Sequence, residues 1–288
     1  MNTETTREIL KRAEPSLTRA ERQLCATLLH NYPMSGLGSI TRLAKKAGVS
    51  TPTVVRMVQK LGFSGFPAFQ AALRDELEAQ ISGPIAKHDV WAGQAPEGHL
   101  LNRFTDAVIG NIRQTLGQID PAHFDEVATL LADEGRKLFI SGGRITHSLA
   151  EYLFLHMQVI RARVSQVPSS SNAWPHAMLD FNKGDVLLIY DVRRYENSAL
   201  KMAEMAARRG ALVVLITDQW QSPVAQHAAF TFNCRITAPS AWDSMVAMML
   251  LSETLVAAVE DATWERTRAR MNELEELFDA TRIFRKFV

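Results

Sequence analysis

Cysteine is scarce in this chain: there are two in 288 residues, and Cys25 and Cys234 lie far apart in no Cys-x-x-Cys spacing. That argues against a disulfide framework and offers no thiolate metal site, and it fits a reducing cytoplasm. No segment approaches about 20 uninterrupted apolar residues, so no membrane-spanning helix is expected. The opening MNTETTREILKR is polar and lacks the apolar centre of a signal peptide. The eight His are scattered, with no His-Glu-x-x-His pattern and no clustered carboxylates, so no metal site, cofactor or catalytic set is expected. His147 and His156 read as polar surface or core groups of one helix. The most informative deficit is local: residues 22–74 hold no Asp or Glu at all.

What that window does hold is Arg22, Arg42, Lys45, Lys46, Arg56, Lys60 and Arg74. A compact element with cations and no carboxylate is suited to lie against a polyanion, duplex DNA above all. The net charge of +1 hides the asymmetry, because residues 1–74 carry 11 Lys+Arg against 4 Asp+Glu and the remainder carries 21 against 27. Association with nucleic acid follows local potential rather than the sum. The length predicts two domains, each able to bury its own core. We place a basic head at 1–80, a linker at 81–99 and an acidic body at 100–288. The linker reading rests on ISGPIAKHDVWAGQAPEGH, which has three Gly, two Pro and no sustained periodicity.

In the head, Leu24, Leu28 and Leu29 recur at helical spacing, and Thr18 with Glu21 reads as a capping box, giving a helix at about 18–31. Ser39 is placed to cap a second helix, ITRLAKKAG, whose Ile40, Leu43, Ala44 and Ala47 face inward while Arg42, Lys45 and Lys46 face outward. Gly48-Val49-Ser50 is a tight turn: Gly48 suits the left-handed conformation and Ser50 the next cap. The third helix, TPTVVRMVQKL, docks by Val54, Val58 and Leu61 and presents Pro52, Thr53, Arg56, Gln59 and Lys60 opposite. An apolar docking stripe backed by hydroxyls, amides and cations is what a helix reading a DNA groove requires. The predicted DNA contacts are Arg42, Lys45, Lys46, Ser50, Thr51, Thr53, Arg56, Gln59 and Lys60. Of these, Thr53, Arg56, Gln59 and Lys60 fall near the bases and Arg42, Lys45 and Lys46 toward phosphates.

LAKKAGVSTPTVVRMVQKLGFSGFPAFQAAL, residues 43–73, resembles the N-terminal domain of the RpiR/MurR-type bacterial transcription regulators. The resemblance is carried by a helix-turn-helix followed by Leu61-Gly62-Phe63, Gly65-Phe66 and Phe69. It covers about 65 residues including the first helix, and the three phenylalanines would fasten the following helix to the bundle.

The body reads as two helices, 100–118 and 122–133, and then alternating strands and helices. Strands are expected at 137–141, 162–167, 185–191, 211–217 and 228–236, with helices at 146–160 and about 197–209. This is an α/β doubly wound parallel sheet with flavodoxin-like layering, behind an all-α helix-turn-helix bundle. Ligands in such sheets bind beyond the carboxyl ends of the strands. The loops there offer Gly142, Gly143, Arg144 and Thr146; Asp191, Arg193, Arg194 and Tyr195; Asp218 and Ser222; and Asp243 and Ser244. Gly142-Gly143 lacks the spacing of a dinucleotide fingerprint. The Met245, Met248, Met249 run reads as helix core, and a charged amphipathic helix follows it.

The element order and Gly-rich first loop resemble the sugar isomerase, or SIS, domain that follows the head in this regulator family. The resemblance implies a phosphosugar held by hydroxyls and helix N-terminal N–H groups, with Thr146 at the first-loop hydroxyl position. The second loop departs from it: Asp191-Val192-Arg193-Arg194-Tyr195 stands where a Ser-x-Ser-Gly segment is expected, and resembles a branch with an Arg-Arg-Tyr signature. Two readings of that loop stay open. The guanidiniums clamp an anion bidentately, or they pair with Asp191, Asp218 or Asp243 and hold the loops together.

The expectation is therefore a cytoplasmic regulator, a homodimer or homotetramer, whose head binds a double-stranded operator and whose body senses a small anionic metabolite such as a sugar phosphate or sugar acid. The alternative is a SIS-type sugar-phosphate isomerase with an accessory basic domain. Isomerisation needs a positioned base, commonly Glu or His, and the four loops supply Asp191, Asp218 and Asp243 but no Glu/His pair.

Overall fold

The computed structural model describes residues 4–94, 98–168, 170 and 172–284. The chain divides into two compact units, Met1–Gly83 and Pro84–Val288. The first is a bundle of five helices: α1 (Thr6–Ala13), α2 (Arg19–His30), α3 (Ile40–Ala47), α4 (Thr51–Lys60) and α5 (Phe66–Ile81). The capping box at Thr18 and Glu21 starts α2 as expected, and Ser39 and Ser50 cap α3 and α4 through the Arg42 and Thr53 N–H groups. Helix α1 was not expected. Thr5 and Glu8 form a second capping box, and Ile9 and Leu10 are buried in the same core as Leu24, Leu28, Leu43, Val54 and Val58.

That core is closed by α5. Phe69 meets Phe63 edge-on at 5.3 Å and lies near-parallel to Phe66 at 6.1 Å, so the aromatic series fastens α5 to the bundle. The turn before α3 is tied to α5 by Gln70, whose amide donates to the Gly36 and Gly38 carbonyls at 3.1 and 2.6 Å. Gly36 is needed there, because a Cβ would stand 2.3 Å from Leu73 Cδ1.

The second unit opens with α6 (Pro84–Gln94), inside the expected linker. Proline at a helix start leaves no donor unsatisfied that would otherwise be paired, so Pro84 begins this helix rather than preventing one. Residues 95–97 of that linker lie outside the described residues. Then come α7 (Leu100–Gln118), α8 (Pro121–Ala132), β1 (Leu138–Gly142), α9 (His147–Ile160), β2 (Val164–Gln166), α10 (Trp174–Ala177) and β3 (Val186–Asp191). The unit continues with α11 (Asn197–Arg208), β4 (Leu212–Asp218), β5 (Phe230–Cys234), α12 (Val246–Ala262) and α13 (Trp264–Thr281). The five strands form one sheet in the order β2-β1-β3-β4-β5, each neighbouring pair parallel.

Strands β1 and β3 are buried along their whole length, as a sheet covered on both faces requires. Helix α9 packs on β1, β2 and β3, α11 on β3 and β4, and α12 against α7, α8 and α9. The chain order reverses between β1 and β3, and the loops leaving their carboxyl ends diverge there. That switch point is where a crevice forms in such a sheet.

Candidate functional site

In the head, α3, the Gly48 turn and α4 form the helix-turn-helix. Gly48 takes φ 64° and its N–H bonds back to Lys45, while Val49 N–H reaches the Ala44 carbonyl at 3.0 Å, closing α3. Helix α4 buries Val54, Met57 and Val58 and leaves Pro52, Arg56, Gln59 and Lys60 exposed, with Thr51 and Thr53 half-buried. Arg42, Lys45 and Lys46 are exposed on α3. Ser50 spends its hydroxyl oxygen on the cap, and its Oγ lies 2.8 Å from that of Thr53. Lys46 reaches Ser35 Oγ at 3.1 Å, a contact easily exchanged for a phosphate.

Lys60 departs from its expected place on the reading face. Its ammonium donates to the Ser16 carbonyl at 2.7 Å and to Glu21 at 3.2 Å. Glu21 is the last carboxylate before the acid-free window, and a long flexible side chain at the end of α4 reaches it. Its carboxyl is held below the usual range by the Thr18 N–H first and by Lys60 in support. Opposite its buried stripe, α4 thus leaves Pro52, Arg56 and Gln59 exposed and free of such a bond among the described residues, with Thr53 beside them.

In the body, the residues expected to receive an anion are mostly spent on one another. Thr146 is buried; its Oγ1 accepts the Gly143 N–H at 2.8 Å and donates to the Tyr190 carbonyl at 3.2 Å, joining the first loop to β3. Gly142 lies so close to the next turn that a Cβ would stand 2.4 Å from the Thr146 carbonyl oxygen. Asp191 accepts from the Ser222 hydroxyl and, at 3.3 Å, from the Glu196 N–H. Burial pushes its carboxyl up to about 7 against those two bonds. Asp218 accepts from the Arg193 N–H at 2.6 Å, the Tyr195 hydroxyl at 2.8 Å and the Trp220 N–H at 3.0 Å, yet burial still raises it to about 6. Ser244 is buried, its N–H held by the Ile236 carbonyl.

Of the two readings of the Arg-Arg-Tyr loop, the Arg193 side chain follows the structural one. Its Nε donates to Asp243 Oδ2 at 2.9 Å, a second guanidinium nitrogen bonds Oδ1, and the group lies 4.5 Å from the Trp220 ring centroid. Lys87 on α6 donates to the same Asp243 at 2.7 Å. Burial alone would raise the Asp243 carboxyl, but Arg193 and then Lys87 bring it below its ordinary value. Arg144 and Arg194 are different: both are exposed, and neither guanidinium has an ion-pair partner among the described residues.

Three residues outside the expected set complete the site. Trp220 covers Arg193, Lys87 comes from the presumed linker, and Glu196 enters the first loop, accepting the Arg144 N–H at 3.0 Å. A carboxylate directly before a helix start is a readable signal, because it favours the positive end of the helix. Lys87 offered no such signal, since its role depends on a partner 156 residues away. The cavity left between Ser141, Gly142, Gly143, Tyr190, Glu196 and Ser198 is about 10 Å³, room for one water at most. No group of His, Cys, Asp or Glu suited to hold a metal ion occurs among the described residues, and no described helix is long and apolar enough to cross a membrane.

Comparison with known proteins agrees with this division. Residues 5–80 match the helix-turn-helix domain of the rpiR family, and residues 130–258 match the SIS domain. A Haemophilus influenzae protein named as an uncharacterized HTH-type transcriptional regulator is 22% identical over 216 residues, covering 75% of this chain and 74% of that protein. The bifunctional protein glk of Burkholderia mallei is 26% identical over 224 residues, 77% of this chain, but the match spans only 34% of that longer protein. The solved structure of Vibrio vulnificus NanR complexed with ManNAc-6P is similar in fold, with a TM-score of 0.54 at 17% identity, covering 94% of this chain and 97% of that one. A helix-turn-helix unit of rpiR type joined to a five-stranded parallel SIS sheet makes this chain a member of the RpiR family of transcriptional regulators.

Proposed function

We propose that the head binds a double-stranded DNA operator through α4, and that the crevice at the carboxyl ends of β1, β3 and β4 takes a small carbohydrate-derived anion that modulates this binding. The observation that carries the first part is the face of α4. It exposes Arg56 and Gln59 beside Thr53, on a surface whose residues from 22 to 74 include no carboxylate. Guanidinium and amide side chains pair bidentately with guanine and adenine edges in the major groove, while Arg42 and Lys45 on α3 suit the phosphates. Helix-turn-helix heads act in pairs on half-sites about one helical turn apart, so the working form is a homodimer or homotetramer.

For the effector, a sugar-derived ligand is supported by the SIS sheet and by the ManNAc-6P that NanR carries. Arg144 and Arg194, exposed cations on the two loops flanking the switch point, suit its charge. The Lys87–Asp243–Arg193 cluster ties the Arg193 loop, together with the segment that carries Asp243, to α6, which begins directly after the first unit ends at Gly83. A ligand that shifts the Arg193 loop therefore pulls on the segment leading to the head. The isomerase alternative is disfavoured because residues 5–80 match the rpiR-family helix-turn-helix domain and a relative sharing most of the chain is named as an HTH-type transcriptional regulator.

Selection of bound fragments from fragmented genomic DNA, followed by gel shifts, tests the proposal. A discrete operator whose binding weakens steeply with salt is expected. Equal retention of every fragment would remove the regulator reading, and turnover of a phosphosugar by the purified chain would restore the isomerase.

A further inference from the structure

Glu196 stands between β3 and α11, but its side chain is spent on another loop. One carboxylate oxygen accepts the Arg144 N–H at 3.0 Å and the other accepts the Ser198 hydroxyl at 3.1 Å. The contact with the first loop is close: a Cβ on Gly143 would stand 2.4 Å from Glu196 Oε1 and 2.9 Å from its Cδ. A side chain at Gly143 would therefore push the Glu196 carboxylate off this loop. The neighbouring Gly143 N–H is already given to Thr146, and only about 10 Å³ remains open beside it.

We propose that Glu196 is a specificity-determining residue: its carboxylate fills the base of the crevice as an internal anion and excludes phosphorylated ligands from it. This rests on the reading of the crevice as the effector site. A phosphate entering the loop would have to displace both of Glu196's bonds or lie in contact with it. Contact is opposed by like charge, and Asp191 and Asp218 at the ends of β3 and β4 add to the repulsion once ionised. An effector that keeps clear of the base carries its charge at the rim, where Arg144 and Arg194 are exposed and have no ion-pair partner among the described residues. A planar carboxylate matches a guanidinium fork, so the class of effector this geometry selects is a sugar acid rather than a sugar phosphate.

The test uses the full chain and inorganic phosphate as probe, with the amide resonances of Gly143 and Arg144 as the local readout. In the unaltered chain these resonances are expected not to move saturably. Glu196→Ser removes the internal anion and opens the loop, and phosphate is expected to bind the variant about tenfold more tightly or better, since relief of about 1.4 kcal/mol of like-charge repulsion is a factor of ten. The proposal is overturned if the unaltered chain binds phosphate at these amides as tightly as the variant does, or if folded Glu196→Ser gains no affinity. Should that variant not fold, the unaltered chain decides: saturable shifts at Arg144 overturn the proposal, and their absence supports it. Operator binding does not involve Glu196, so loss of fragment preference would sink the regulator reading while leaving the phosphate result standing.

Discussion

Arg193→Met separates a loop-holding role from a ligand-clamping one. The Arg193 side chain is 5% exposed and bonds Asp243 through two nitrogens, while Asp243 and Lys87 are 15% and 10% exposed. Breaking one partner out of a buried ion pair costs about 3–5 kcal/mol, because the remaining charge is left without compensation. Lys87 still compensates Asp243 in the variant, which puts the loss at the lower end, and methionine keeps an unbranched apolar stem in place of the arginine's. The cation–π contact adds about 0.5–1 kcal/mol to the deficit. A loss of about 4 kcal/mol is therefore expected in the second unit. All five tryptophans lie in that unit and none in the head, so urea unfolding followed by tryptophan fluorescence reports on it alone. In a cycle with Asp243→Asn the two losses should couple by about 1 kcal/mol or more. A loss under about 1 kcal/mol, or strictly additive effects, would refute the reasoning and return Arg193 to the ligand.

Other consequences are equally specific. Lys60→Met should cost the head about 1 kcal/mol, discounted for its partial exposure, because it frees Glu21 and the Ser16 carbonyl. Its operator affinity should fall less than that of Lys45→Ala, as paired urea and gel-shift titrations would reveal. Asp191 is held near 7 by burial, above its unfolded value of 3.8, so between those values the folded state binds the extra proton. Its contribution to stability is therefore greatest at low pH and falls as pH rises through that window; Asp218, held near 6, acts in the same direction. Asp191→Asn should flatten the decline in urea midpoint between about pH 4 and about pH 7, and an unchanged slope would show that Asp191 does not carry it.

Local rules were enough for much of this molecule. The caps at Thr18, Ser39 and Ser50, the left-handed Gly48 and the apolar stripe of α4 each depend on residues within one turn, and each forms as the sequence implies. The strands were legible because their residues are continuously apolar between turn signals, and their parallel pairing follows from the intervening helices. Helix α1 carried its own capping box at Thr5 and Glu8 but only two core residues, Ile9 and Leu10. Helix α6 was hidden by Pro84 and Gly93, and Lys87 bonds a carboxylate 156 residues away. The candidate site was legible as loops but not as partners. Sequence offered Arg193 three aspartates, and only the fold gives its guanidinium to Asp243 while Asp218 takes its backbone N–H. Lys60 and Glu196 make the same point, since each reaches beyond its own element, Lys60 to the Glu21 carboxylate and Glu196 to the Arg144 N–H.

The central claim is that α4 reads sequence while α3 holds the backbone. Fluorescence anisotropy with a selected operator and a random duplex of equal length, on the unaltered chain, Arg56→Ala and Lys45→Ala, tests it most directly. Arg56→Ala is expected to lose about 1–3 kcal/mol on the operator and little on the random duplex, and Lys45→Ala to weaken both alike. Equal losses on both duplexes for the two variants would contradict the assignment of the reading face. An unaltered chain with no preference between the duplexes would contradict the claim itself.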